Sequence, residues 1–463
     1  MRISRYIAGI ASLGVAALAA LFPGNNAAQA QSLTFSSSFQ VQNLSSSTAT
    51  ISIAFYNLDA NSAVVSVDDT IPGSSQKTYA TLPSGVPSNF NGSAVISSDQ
   101  RVAAIVNINS PDLSLTFGGE AYVGVTEGSD TVSLPLLFKG SFGFNSFFNI
   151  QNVGQTSTQV TVTYRGGGLS SPVSLDPVTL APGAAHRFDV TAAADLPAGF
   201  NGSATVTSTS SDIAGVVTHV GPTTVLIYNG FAAGSTNPTF PLVNANNFGY
   251  QTGIALQNRG TTDSTVTLTY TPSSAGTACT ETRTIPANGG TAFFAIEAFS
   301  ATDPNTGNNN NCANGATFVG SARVTANSAN VELVGTVDQL NSAQRKGGTY
   351  AGFDPASATS TVVYPLVNDR NFGFFTGLSL VNVSDVTTTI TCTYSGTAVT
   401  QEQTNVGPGG TFTPVQVNQI ANGYNGSGTC TASAPGARIV GVANQLRSTG
   451  TTDTFYVYEG ANN

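Results

Sequence analysis

The chain contains no tryptophan, one methionine and two histidines in 463 residues, and only 8% of its residues are charged. Each shortage excludes something. Three lysines and a scatter of arginines, with no basic run, leave nothing to neutralise a phosphate backbone or grip anionic headgroups, so nucleic acid and lipid headgroups are poor partners. Two histidines leave little for acid–base catalysis near neutral pH, and the four cysteines contain no C-x-x-C pair of the kind that zinc sites use. The absence of tryptophan removes the usual platform for a sugar ring. Low charge does not mean disorder, because 40% of the chain is hydrophobic. What is plentiful is Gly, Ser, Thr and Asn around short apolar runs, the composition of an exported β-protein, and 463 residues suggest three or four domains.

Residues 1–30 read as a secretory signal peptide: Arg2 and Arg5 precede an apolar run from Tyr6 to Phe22, followed by the small-x-small step Ala28-Gln29-Ala30. Removing them leaves 13 basic and 24 acidic residues, a net charge of −11. No later segment is long and apolar enough to span a membrane, no cysteine follows the leader to carry a lipid, and Phe455–Asn463 shows no hydrophobic tail. A secreted chain held at a cell surface only through non-covalent contacts is the expectation.

Beyond the leader one phrase recurs four times, at Phe39–Asn43 (FQVQN), Phe148–Asn152 (FNIQN), Ile254–Asn258 (IALQN) and Leu378–Asn382 (LSLVN). Each is followed by an alternating run: Thr50–Tyr56, Gln159–Tyr164, Thr265–Tyr270 and Thr389–Tyr394. Alternation with period two predicts a half-buried strand. A turn then comes at Pro72-Gly73, Pro182-Gly183, Asn288-Gly289 and Pro408-Gly409. The closing phrase is at Asn91–Ala94, Asn201–Ala204, Val319–Ala322 and Asn425–Gly428. Four copies of one unit follow, at 31–131, 132–238, 239–361 and 362–463. Some seven short strands per unit with no helical period predict an all-β chain of four tandem antiparallel β-sandwiches, immunoglobulin-like by first preference, with a jelly roll left open.

In its strand phrase, Pro-Gly turn and F-x-G-S-A phrase the chain resembles tandem immunoglobulin-like repeats of exported bacterial cell-surface proteins. That resemblance implies a surface or extracellular role and no reaction.

The cysteines fall as pairs inside single units, Cys279 with Cys312 and Cys392 with Cys430, and export makes disulfides their natural state. Cys392 and Cys430 replace inward residues such as Val162 and Val206, which suggests a bridge across the core. Cys279 and Cys312 flank an inserted loop, whose closure is worth roughly 3 kcal/mol.

Candidate chemistry is sparse. His186 and His219 have Gln, Ala, Phe or Ile at the matching positions of other units, and no G-x-S-x-G exists to make a triad with them. Asp68-Asp69 is the only adjacent carboxylate pair and reads as a solvated loop. Asp303-x-Asn305-x-Gly307 lacks the downstream Glu of a calcium loop, although calcium between units stays open. Asn91, Asn201 and Asn425 sit in Asn-Gly-Ser, a formal glycosylation acceptor but more simply a turn. Threonine rows on the outer strand faces admit a sugar-binding reading. No enzymatic activity, cofactor or metal is expected.

The joints between units are apolar: Leu134–Leu136 to Phe142–Phe144, Phe240–Leu242 to Phe248–Tyr250, and Tyr364–Leu366 to Phe372–Phe374. Such joints predict rigid connections and hence a rod. The first unit has only Leu33–Phe35 in register with the Phe-Gly-Phe part and nothing for the Pro-Leu part, so a terminal β-edge open to self-association is expected. The function that fits is a secreted, non-enzymatic structural or adhesive protein of the cell surface or extracellular matrix, with matrix components or glycans as partners. A carbohydrate-binding module protein is the alternative.

Overall fold

The computed structural model describes residues 4–8, 35–109, 119–294, 299, 309–327, 331–447 and 453–462. It is all-β and antiparallel apart from one three-residue 3-10 turn at Val190–Ala192. The first sandwich contains β1 (Ser4–Ala8), β2 (Ser36–Asn43), β3 (Ala49–Asn57), β4 (Val65–Ile71), β5 (Gln76–Tyr79), β6 (Gly92–Ser98), β7 (Val102–Asn109) and β8 (Gly119–Val123). The second contains β9 (Thr131–Ser141), β10 (Phe144–Asn152), β11 (Thr158–Gly166), β12 (Val173–Ser174), β13 (Val178–Leu180), β14 (Ala185–Asp189), β15 (Phe200–Ser208), β16 (Ile213–Val220) and β17 (Val225–Asn229). The third contains β18 (Thr239–Ala245), β19 (Gln251–Asn258), β20 (Ser264–Ala275), β21 (Cys279–Ile285), β22 (Thr291–Phe294), β23 (Asn309–Asn310), β24 (Phe318–Ala326), β25 (Leu333–Asn341) and β26 (Lys346–Ala351). The fourth contains β27 (Thr361–Asn371), β28 (Phe374–Asn382), β29 (Thr388–Tyr394), β30 (Thr400–Val406), β31 (Thr411–Phe412), β32 (Tyr424–Ala432), β33 (Ile439–Arg447), β34 (Phe455–Glu459) and β35 (Ala461–Asn462).

With the eight recurring strand positions lettered a to h along the chain, every sandwich has the strand orders a-f-c-d and e-b-g-h, as two separate sheets in the first and third and joined through the a–b hairpin into one nine-stranded sheet in the second and fourth. Position c alternates as the sequence predicts, with Ile51, Ile53 and Phe55 of β3 inward and their neighbours partly exposed. The repeated Asn that ends position b is an internal staple rather than a surface group. Asn152 donates from Nδ2 to the carbonyls of Thr156 (2.7 Å) and Leu180 (3.0 Å) and accepts at Oδ1 from the N–H of Gly154 (3.0 Å). Asn43, Asn258 and Asn382 do the same, tying the b–c loop to strand d.

Strands b, g and h are buried on both faces, which explains why FQVQN has no exposed side. The covering layer is the neighbouring sandwich. Val225 and Ile227 join the first sandwich's core, Ala255 the second's, and Val442, Phe455 and Val457 the third's. The series then closes, because Ile105 and Ala121 of the first sandwich sit in the core of the fourth. Strands β8, β17, β26 and β34 meet in the middle, each beside two of the others. The predicted rod is therefore a closed ring of four. Apolar residues on the outer side of positions g and h demand cover, and burying each such side chain is worth about 1.5–3 kcal/mol.

At the centre Glu120, fully buried, accepts the N–H of its own neighbour Ala121 (2.9 Å), of Thr349 in β26 (3.0 Å) and of Val457 in β34 (2.8 Å). Glu459 accepts from Ala351, and Asp453 from Gly347 (3.2 Å). The edge N–H groups that four converging strands would otherwise leave unpaired are thus met by carboxyl groups.

Both cysteine pairs lie at bonding distance, Cys279 with Cys312 and Cys392 with Cys430. The second pair corrects the expected bridge across the core. β29 and β32 are neighbours in one sheet, and Cys392 stands directly opposite Cys430, so the bond joins two strands of the same layer.

Candidate functional site

Neither histidine is arranged for catalysis. His219 is fully buried, with Nδ1 2.7 Å from Ser146 Oγ, and Nε2 meets no partner among the described residues. Burial drives its pKa down to about 3, so the ring is neutral. Ser146 also accepts the N–H of Phe138 (2.7 Å). Thr252 and Thr376 take that same bond from Asn244 and Asn368 in the third and fourth sandwiches, where Gln339 and Gln445 stand in for the histidine. The bond to Ser146 thus recurs, whereas the glutamines at the histidine's place bond elsewhere, Gln339 accepting from Asn244 (3.0 Å) and Gln445 donating to the Leu366 carbonyl (3.1 Å). His186 Nδ1 lies 2.5 Å from Asp59, pinning the second sandwich to the first. Asp69 is bound by Lys77 (2.6 Å) and Tyr79 (2.7 Å); partial burial raises its pKa, but these two bonds outweigh it and hold the carboxyl below its usual range. Among the described residues no group of three His, Cys, Asp or Glu is placed to hold a metal. Asp303, Asn305 and Gly307 lie outside the described residues.

The outer threonines pair with one another, as Thr267 with Thr282 (2.9 Å) and Thr265 with Thr284 (3.1 Å).

The unusual surface feature is at the a–b turns. Phe142, Phe248 and Phe372 are 78%, 89% and 86% exposed, at equivalent tips of the second, third and fourth sandwiches. The seams repeat head to tail, each sandwich's core receiving residues of the next, and in such a cyclic arrangement equivalent turns belong to one rim. Their φ angles are 52°, 48° and 49°, and the Gly after each is also positive, at 79°, 87° and 83°. Two successive positive φ values make a type I′ hairpin turn, for which Asn-Gly is the favoured pair. A bulky residue there costs roughly 1–2 kcal/mol. Three large apolar side chains are thus held in strained backbone and turned to solvent, which packing does not account for.

Next to Phe372, at the seam between the fourth and first sandwiches, runs a groove of about 300 Å³. Its lining includes the aromatic rings of Phe39, Phe372, Phe374 and Tyr456 and the amides of Asn368, Asn371 and Asn425. Asn368 Oδ1 accepts from Asn425 (3.0 Å) and Asn371 (3.3 Å), leaving these amides ordered.

Sequence reading placed the Phe-Gly-Phe phrases in rigid joints and missed the exposed ring. The available signal was a Phe-Gly step between two apolar runs, the place where a hairpin would carry Asn-Gly.

The chain matches no protein-family profile and no curated protein. Among solved structures it is similar to the crystal structure of Thermotoga maritima 1070, at 18% identity over 23% of this chain and 95% of that one, with a TM-score of 0.20. A likeness of that size carries no argument about fold or activity.

Proposed function

We propose that this chain is a secreted, non-enzymatic protein with a structural or adhesive role at the cell surface or in extracellular matrix, and that it attaches through its phenylalanine rim. The leader-like residues 1–30 and the two disulfides support export. The immunoglobulin-like reading is supported by the b–e and c–f neighbours, which match its B–E and C–F pairs; strand a lies beside f and strand g beside b, where that fold has G and A. The observation that carries the adhesive reading is the threefold repetition of an exposed Phe in strained backbone. Three apolar contacts on one rim act together, and linked weak contacts gain avidity without any one strong site. Adsorption of the exported protein to hydrophobic and to polar beads tests this. Replacing Phe142, Phe248 and Phe372 together by Asn should abolish retention on the hydrophobic beads, and unchanged retention would sink the idea.

The aromatic and amide groove at the fourth–first seam favours the second reading, carbohydrate binding, since a flat ring beside ordered amides suits a sugar. A glycan array separates the two: saturable binding lost in Asn368→Ala would favour this one.

A further inference from the structure

The first sandwich differs from the others at position a. In the second, third and fourth, that strand passes through a Pro-Leu step whose Leu peptide is clasped by a tyrosine of position h. Tyr228 donates to the carbonyl of Leu136 (2.6 Å) and accepts its N–H (3.2 Å); Tyr350 repeats both bonds with Leu242, and Tyr458 donates to Leu366. In the first sandwich position a is the five-residue β1, paired from Ser4↔Ser98 to Ala8↔Ala94. The matching tyrosine, Tyr122, is buried and finds no hydrogen-bond partner among the described residues.

A narrow cleft lies at this place between β6 and the second sandwich, lined by Gly92, Ser93, Tyr122, Asn149, Gln151 and Val216. Ser93 Oγ and Asn149 Oδ1 are buried there without partners among the described residues. Their counterparts are engaged: Ser203 donates to the Gly289 carbonyl, and Gln40, which corresponds to Asn149, donates to the carbonyl of Pro365 in strand a of the fourth sandwich. The cleft has the lining of a strand site and half its strand. Asp99 N–H points to β3, so alternation turns the N–H groups of Ala94, Ile96 and Ser98 to the edge that β1 holds.

Residues Ser4–Ala8 lie within the leader, so on the export reading above, which this inference rests on, cleavage empties the edge completely. We infer that in the exported protein β6 is a strand acceptor, filled in trans by an extended segment of another polypeptide. That segment would carry alternate apolar residues along Ala94–Ser98 and a Pro-Leu step under Tyr122. The strand is supplied from outside because β9, β18 and β27 are each paired within their own sandwich, so a second copy has no such strand to lend.

The test uses the full chain exported with its own leader, its N-terminus read by mass, and the synthetic peptide TVSLPLLFK (residues 131–139) as probe. A chain beginning near residue 31 should bind one peptide. Hydrogen exchange at Ala94, Ile96 and Ser98 should slow about tenfold or more, and a peptide with Asp at both Leu134 and Leu136 should leave it unchanged. A processed chain that ignores the peptide, has these amides protected beforehand, or dimerises through them overturns the acceptor. A mass that retains residues 1–30 overturns the export reading instead, and with it the need for an outside strand.

Discussion

Glu120 accepts the backbone N–H of Val457 at 2.8 Å across 337 residues of sequence, and so joins the first sandwich to the last. Replacing it by Ala leaves the N–H groups of Val457 and Thr349 buried and unpaired, at about 1–3 kcal/mol each. Glu120→Ala should lower the unfolding free energy in urea by about that amount and increase the radius of gyration in X-ray scattering as the seam opens. Glu120→Gln, which keeps an acceptor oxygen, should cost less.

Burial raises the pKa of Asp338 to about 7, the bond from Thr349 only partly offsetting it, and that of Glu459 to about 7; Glu120 and Asp453 shift upward as well. For a carboxyl raised on folding, the stabilisation is complete below its unfolded pKa and is lost as pH climbs through the folded one. His219, lowered to about 3, works the other way and loses stability as pH falls below its unfolded value of 6.5. Four carboxyls outweigh one imidazole, so the melting temperature should decline from about pH 4.5 to pH 7. His219→Gln should steepen that decline. A melting temperature that rises steadily to pH 8 would contradict the assignment.

In the rim, Asn suits the turn better than Phe. The triple replacement of Phe142, Phe248 and Phe372 by Asn should therefore stabilise the fold, by up to roughly 1–2 kcal/mol per site, while adhesion falls. Thermal denaturation and bead adsorption on the same sample should move in opposite directions, as expected when strain is kept for function.

Cys392 and Cys430 close 38 residues. Losing this bond alone should cost about 4 kcal/mol on the chain-entropy account. Valine at both positions, as in the second sandwich's Val162 and Val206, should lose less than serine at both, because the site is fully buried. Urea unfolding of the three forms ranks them.

Asn382→Ala should be among the most damaging single changes outside the hydrophobic core. It removes two donated bonds and the acceptor for Ser384 at a fully buried side chain. The loss should be about 2–4 kcal/mol by denaturant titration.

Local structure was legible in the sequence because it is written locally. The alternation at Thr50–Tyr56 and its copies predicted position c, and the Cys spacing predicted the pairs. The ring was not legible, since it depends on which outer side chains find cover, and Ala255 or Val457 looks the same in a strand facing solvent as in one facing a neighbour. The position of the Cys392–Cys430 bond was missed for a related reason: an alternating strand identifies its inward face and not its sheet partner. The rim was missed because an exposed Phe and a buried Phe share one letter, and only the backbone angle separates Phe142 from Phe144.

Closure also determines how the molecule bears load. In a rod, tension between the ends would run through all four sandwiches in series. Here the first and fourth are neighbours, so a pull on the two ends is taken by the single seam around Glu120, Gln40 and Pro365 and bypasses the second and third. The two ends are thus the weak direction, and repeats could not be added or lost one at a time without breaking the circle.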